Sequence, residues 1–350
     1  MTQGNKDMRV GKLLLMLVIA FGINVITGTS VRAADADLAK WDKLAKFSPK
    51  SKIKVDHKLL SNLLKYAVMP YDARAKKGES QRVQRPRTGT KIRHSAARTS
   101  KRKRLNMIAF KFVRGNPTYR KALDNYLGYL QDVPVAALNR YQQLAYWLNF
   151  HNAGVLRMLI DGKKASQMDP NGQRKGPYFE PRFQVAGERI SLADIRDNII
   201  LRNWKDASVL YGICYGGRSG PNMLAEAFEG QNVHALLERN ARDYLRSPRG
   251  IKLVGTTLNY SEFFSWYADR LGGDQGIREQ VRKYGDGQTV SNLDRVNRYR
   301  SKRFSWKLAE LRSRSNALAA VSDSGLNTSG NIDFGAWNHV NTGSGSGVGN

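Results

Sequence analysis

The sequence has a single cysteine, Cys214, in 350 residues. That excludes an intrachain disulfide framework and a cysteine-based zinc site. Histidine is scarce as well: His57, His94, His151, His234 and His339 are scattered without metal-ligand spacing. No metal site and no cofactor is therefore expected. No repeat of fixed period occurs, and 41% hydrophobic residues with 25% charged ones exclude a wholly disordered chain, a collagen-like repeat and a polytopic membrane protein. Acidic residues are few, 29 Asp and Glu against 58 Lys and Arg, for a net charge of +29.

Residues 1–33 have the three parts of a secretory signal. Lys6, Arg9 and Lys12 precede an apolar run from Leu13 to Ile26, and Val31-Arg32-Ala33 offers small residues at a cleavage site. The run, about 14 residues, is shorter than the roughly 20 that span a bilayer, so cleavage and export are expected over retention as an anchor. No transmembrane span is expected after cleavage. Roughly 300 residues would then remain, enough to bury about three quarters of the unfolded surface. The leader holds Lys6, Arg9, Lys12 and Arg32 against Asp7, which leaves the rest near +26. In an exported periplasmic or extracellular protein that charge points to lipopolysaccharide, anionic lipid or another envelope polyanion, and away from nucleic acid.

Residues 34–312 read as one α+β domain, mostly helical around a small β-sheet. Helices are predicted over 38–47 and 57–68. Residues 72–104 then hold 13 Lys and Arg against Asp72 and Glu79, with few large apolar residues. This basic insert reads as a solvated loop or as an arm for a polyanion; it lacks the interleaved aromatics of a single-strand nucleic-acid platform. A strand is predicted over 106–113, a helix from Pro117 to Gln131, and a long amphipathic helix from near Pro134 to Ile160. Its buried face is expected to include Leu138, Tyr141, Leu144, Leu148, Val155 and Leu159. A short strand over 183–186 turns at Gly187-Glu188, and Ser191 with Asp194 forms a capping pattern for a helix to Arg202. Val209 to Tyr215 reads as a buried strand leading through Gly216–Gly220 into a helix opened by Pro221. Helices over 231–246, 260–271, 277–284 and 304–311, with strands within 251–258, complete the domain. From 313 onward Ser, Gly and Asn supply 20 of 38 residues, the composition of a flexible tail.

Three groups of residues are candidates for chemistry. Gly216, Gly217, Arg218, Ser219 and Gly220 would form a strand-to-helix loop whose amides and guanidinium receive a carboxylate or phosphate. No Lys-Ser/Thr pair follows, so this is not a phosphate-loop motif. Asn149 and Asn152, three apart on the long helix, would project two amides together, either to a ligand or into a buried hydrogen-bond network. Cys214 with His151 would make a thiol nucleophile and base if the thiol pKa were lowered; otherwise both are buried structural residues.

These segments in this order resemble the family catalogued as domain of unknown function 547, over about residues 120–310. The resemblance rests on Gln143-Leu144-Ala145-Tyr146-Trp147-Leu148-Asn149-Phe150-His151-Asn152-Ala153, on Ser191-Leu192-Ala193-Asp194-Ile195 ending at Leu201-Arg202, on Ser261-Glu262-Phe263-Phe264-Ser265-Trp266-Tyr267, and on Phe304-Ser305-Trp306-Lys307-Leu308-Ala309. Where many members carry His, Cys and a second Cys before Pro, this sequence has Leu210, Tyr215 and Gly220. Any chemistry those groups serve in the family is absent here, and the family carries over no settled activity. The expectation is an exported, non-catalytic binding protein for an anionic small molecule or an envelope polyanion. The alternatives are a thiol-dependent hydrolase or transferase using Cys214 with His151, and an interaction scaffold presenting the basic insert and the tail.

Overall fold

The computed structural model describes residues 38–72 and 103–311. The leader, most of the basic insert and the tail lie outside the described residues. The chain divides into two units after Lys46. The first contributes helix α1 over 38–45; everything below concerns the second. Among the described residues the fold is α+β and mostly helical, with three small sheets in place of the single one expected.

Its centre is α5, Arg140–Ile160, the long helix expected from the sequence. Asn139 caps it by accepting from the Gln142 N–H, and Gly162 ends it at φ +79°. The preceding turn from Pro134 is a 3-10 segment, Val135–Ala137, so the α-helix begins later than predicted. Seventeen of its 21 residues are buried, so this helix is enclosed by the fold and is not a surface helix with one apolar stripe. Tyr141, expected on the buried face, is instead 57% exposed. The flanking helix α4, Pro117–Asp132, packs on α5, where the Tyr146 hydroxyl donates to Leu130 O, and it buries Tyr119, Leu123, Tyr126, Leu127 and Leu130 at a 3–4 spacing. Helix α2, Lys58–Ala67, packs on α4 in turn.

Strands β1 (Val68–Met69) and β2 (Met107–Ile108) pair antiparallel, and Tyr71 and Arg104 both bond Asp243 just beyond them. The two ends of the basic insert therefore leave and re-enter the fold side by side. The strand predicted over 106–113 stops at Ile108. Phe110 and Val113, three apart and both at 0% exposure, form helix α3 (Phe110–Arg114). Their spacing satisfies burial in a helix as well as in a strand, and the Ala109 N–H is taken by Ala67 O.

Strands β3 (Phe183–Val185) and β4 (Glu188–Ile190) form a hairpin whose two-residue turn is Ala186-Gly187, one residue earlier than expected. Both turn residues have positive φ, 50° and 83°, as a type I′ turn requires. Ser191 and Asp194 make the predicted reciprocal cap. Helix α6 then runs over 192–203, with a π segment at Ile195–Ile200.

Residues 207–232 depart most from expectation. Ala207–Gly212 is a 3-10 helix, not a strand, opened by Asp206, which accepts from the Ser208 N–H. Its apolar run, Val209 to Tyr215, is fully buried either way, so periodicity does not separate the two. No helix follows Pro221; helix α7 begins only at Val233 and runs to Leu245. Backbone groups of 222–228 are held by side-chain amides instead. Asn106 Nδ2 donates to Met223 O, Asn240 bonds both the N–H and the O of Asn222, and Asn149 does the same for Phe228. Buried peptide groups must find partners, and here those partners come from outside the segment.

Strands β5 (Ile251–Val254) and β6 (Thr257–Ser261) pair antiparallel, and β7 (Arg298–Lys302) adds parallel to β6. No strand is expected from the sequence at β7. The single helix predicted over 260–271 is two short ones, α8 (Glu262–Ser265) and α9 (Ala268–Leu271), followed by α10 (Gly273–Tyr284). The helix predicted over 304–311 is extended chain. It bridges Gly217 through Leu308 and Ile108 through Glu310.

Candidate functional site

Helix α5 places Asn149 and Asn152 one turn apart, as the sequence suggests, but each amide is committed to backbone. Asn149 Nδ2 donates to Phe228 O at 2.8 Å and its Oδ1 accepts from Phe228 N–H at 3.0 Å. It pairs with that peptide as a β-ladder neighbour would. Asn152 Nδ2 donates to Gly212 O at 2.8 Å, and its Oδ1 accepts from Cys214 N–H at 3.0 Å. The two side chains thus tie α5 to two irregular segments. Between them lies a cavity of about 10 Å³, also lined by Leu60, Leu64 and Met223. That is room for one water at most.

His151 is at 0% exposure and extends the same network. Because Asn152 Oδ1 only accepts, the imidazole Nδ1–H donates to it at 3.1 Å, and Nε2 accepts from the Tyr178 hydroxyl at 3.0 Å. Burial pushes the imidazole pKa down to about 4, against a smaller upward pull from Asn152, so the ring is neutral at physiological pH. Beyond Tyr178 lies Arg196, 1% exposed, whose guanidinium sits 5.2 Å from the Tyr178 ring and pairs with Asp197 at 2.6 Å. This arginine comes from the π segment of α6. Sequence reading did not single out Tyr178 or Arg196. A tyrosine in a Gly/Pro-rich loop and an arginine on a capped helix carry no local signal of burial.

Cys214 is 1% exposed. Its sulfur accepts from the Gly216 N–H at 3.3 Å, and burial pushes the thiol up to about 12. Neither hydrogen bond of the His151 ring goes to it. A thiol that is protonated and enclosed is a poor nucleophile. Iodoacetamide is therefore expected to modify the folded protein at neutral pH far more slowly than the urea-unfolded chain, followed by mass of the Cys214 peptide. Equal rates would show the thiol to be open.

The glycine loop is not an open anion cradle. Arg218 donates its N–H to Lys307 O at 2.8 Å and its Nε–H to Leu308 O at 3.1 Å. The Ser219 hydroxyl accepts from Ser305 N–H, Gly216 O accepts from Ala309 N–H, and Arg249 donates to Gly220 O. Gly216, at φ +64°, would put a Cβ 2.2 Å from Leu159 Cδ1, so its glycine answers to packing and to backbone geometry. The loop belongs to the seam made by the extended chain 304–311. The helix N-terminus expected behind it is absent. The structure joins Cys214 to Asn152 through the backbone, but neither Arg218 nor Cys214 lines the cavity between the two asparagines.

Tyr215 and Gly220 stand where the family resemblance places cysteines, and the fold brings them together. A Cβ on Gly220 would lie 3.6 Å from Tyr215 Cβ, within the span of a disulfide. In this chain that space is aromatic. The Tyr215 ring packs against Phe263, Trp266, Phe304 and Trp306, with ring centroids 5.9–6.3 Å away, and its hydroxyl bonds that of Tyr267. The third departure, Leu210, is fully buried.

A wider cleft of about 310 Å³ is lined by Lys54, Asp56, His57, Gln142, Glu229 and Gln231. Among the described residues no group of His, Cys, Asp or Glu is arranged to hold a metal ion, and no helix is long and apolar enough to cross a membrane.

An α+β fold in which one enclosed helix pins irregular backbone with its own amides is the class defined by these contacts. Residues 135–245 match the family described as "Protein of unknown function, DUF547". The match covers the Gln143–Ala153 and Ser191–Ile195 segments, while Ser261–Tyr267 and Phe304–Ala309 lie beyond it. No curated protein and no solved structure matches the chain.

Proposed function

We propose that this protein is an exported, non-catalytic binding protein for polyanions of the cell envelope, such as lipopolysaccharide or anionic lipid. One observation carries the reading: the positive excess is a property of the fold as well as of the insert. Residues 38–72 and 103–311 hold 41 Lys and Arg against 23 Asp and Glu. Such a field draws in anionic surfaces and repels like-charged partners. The side chains that could run covalent chemistry support a binding role in a different way. Cys214 and His151 are enclosed, and Asn149 and Asn152 each bond backbone through both their amide N–H and their amide oxygen. A thiol hydrolase or transferase would need Cys214 ionised and reachable. A small anion in the Gly216–Gly220 loop would have to displace chain 304–309. The polyanion form of the reading needs neither.

Sedimentation of the full chain with phosphatidylcholine vesicles, with and without phosphatidylglycerol, tests it. Binding is expected only to the anionic vesicles, and it should weaken steeply between 50 mM and 300 mM salt as screening shortens. Equal binding to both vesicles, or none to either, would refute the proposal.

A further inference from the structure

The register of the three-stranded sheet sorts its side chains onto two faces. Lys252 pairs with Asn259, and Asn259 with Arg300, so these three lie in one row across β5, β6 and β7. Side chains two apart along a strand share a face. Val254, Thr257, Ser261, Arg298 and Lys302 therefore join that row. The opposite face holds Ile251, Leu253, Leu258, Tyr260 and Tyr299, with Leu258 fully buried. The first face thus presents Lys252, Arg298, Arg300 and Lys302 and no acidic side chain.

None of the four cations has a carboxylate partner among the described residues, whereas Arg157 on α5 and Arg239 and Arg242 on α7 do. Lys252, Arg298 and Arg300 are exposed and Lys302 is half-buried. The Lys302 ammonium is held below its ordinary pKa by burial and by the charges of Lys252 and Arg300. Arg298, Arg300 and Lys302 stand two apart along β7 and Lys252 lies across Asn259 from Arg300, so four like charges crowd one face. Here no internal anion relieves them, which leaves an external one as the complement.

The character of the face selects among polyanions. It is a short sheet presenting cations on one side. Its two tyrosines belong to the other side, so it offers no stacking platform for bases. At its β5 end Val254 is 54% exposed, an apolar group beside Lys252. Basic side chains around an exposed apolar one suit the headgroup layer of a bilayer, where phosphates meet the cations and the apolar group reaches the acyl boundary.

We infer that the Lys252–Asn259–Arg300 face of the β5–β6–β7 sheet is the surface by which this protein docks on a bilayer of anionic phospholipid. The inference rests on the polyanion reading above and adds the site and the partner. The sequence carried a signal for it. Residues 295–307 contain six Lys and Arg and no Asp or Glu, and Arg298-x-Arg300-x-Lys302 alternates with strand period.

The test compares two variants of the full chain with equal net charge. One carries Lys252→Gln, Arg298→Gln, Arg300→Gln and Lys302→Gln. The other carries Lys111→Gln, Lys121→Gln, Lys163→Gln and Lys175→Gln, all exposed positions away from the sheet. Thermal unfolding confirms that both are folded. On phosphatidylglycerol-containing vesicles each cation at the surface is worth about fivefold in partitioning. The sheet variant should lose several hundredfold and the control less than tenfold. Equal losses would overturn the face while leaving polyanion binding intact, since net charge alone would then explain it. Failure of the unaltered chain to bind would instead refute the underlying reading. A sheet-dependent affinity for a short DNA duplex, with vesicle binding unaffected by the sheet substitutions, would overturn the bilayer as the partner.

Discussion

Asn149→Ala is expected to lower the unfolding free energy by about 3 kcal/mol. The substitution strips the Phe228 N–H and C=O of their one shared partner. Each buried peptide group left without a bond costs about 1–3 kcal/mol. Against a typical total of roughly 5–15 kcal/mol, that is a large fraction. Asn152→Ala should cost a similar amount, because it releases Gly212 O, Cys214 N–H and the His151 Nδ1–H together. Denaturant unfolding at neutral pH measures both, with exposed Asn297→Ala as a control expected within about 0.5 kcal/mol of the parent. Were the two amides held ready for a ligand, the alanine variants would keep the parental midpoint.

The second large effect is with pH. His57 and His151 are both driven down to about 4, chiefly by burial. At His57 the charge of Asp56 opposes that shift. At His151 Arg196 adds to it while Asn152 and Asp197 oppose it. The folded state therefore holds both rings neutral, and the unfolded chain takes up protons first as the pH falls. The stabilisation is fully present above about 6.5 and is lost as pH drops through the folded values near 4. A shift of this size corresponds to about 3 kcal/mol per histidine when complete. Urea midpoints should be level from pH 8 to 7 and fall steadily from 6.5 to 5, above the range in which ordinary carboxylates titrate. His57→Gln should remove about half of that slope. A flat profile down to pH 5 would mean that the imidazoles are solvated.

Much of the fold was legible where a local signal coincides with the tertiary outcome. Pro117 and the Ser191–Asp194 box mark helix starts through groups that act within a few residues, and those starts stand where they were expected. The prediction failed where a segment's backbone partners come from far away. Residues 221–232 carry a proline suited to a helix start, yet Asn106, Asn149 and Asn240 satisfy their peptide groups from other elements. Chain 304–311 has helical composition, but its hydrogen bonds run to the glycine loop and to β2. The candidate site followed the same division. Asn149 and Asn152 were recognisable as an amide pair in need of partners, because both lie mid-helix among apolar neighbours. What they would hold was not recognisable, since Phe228 and Gly212 lie 79 and 60 residues away. The cationic row across the sheet has no local signature, because β7 pairs with β6 across 41 residues of sequence (Thr257 to Arg298) and its charges align with Lys252 only in that register.

The polar residues of the family-like core serve the fold, and the surface proposed for recognition is the basic sheet. Hydrogen–deuterium exchange of the full chain, with and without phosphatidylglycerol vesicles, separates the two most directly. Added protection is predicted in peptides covering 251–254 and 298–303, with 149–152 and 214–220 unchanged. Protection confined to 214–220 and 149–152, with the sheet peptides unaffected, would contradict it.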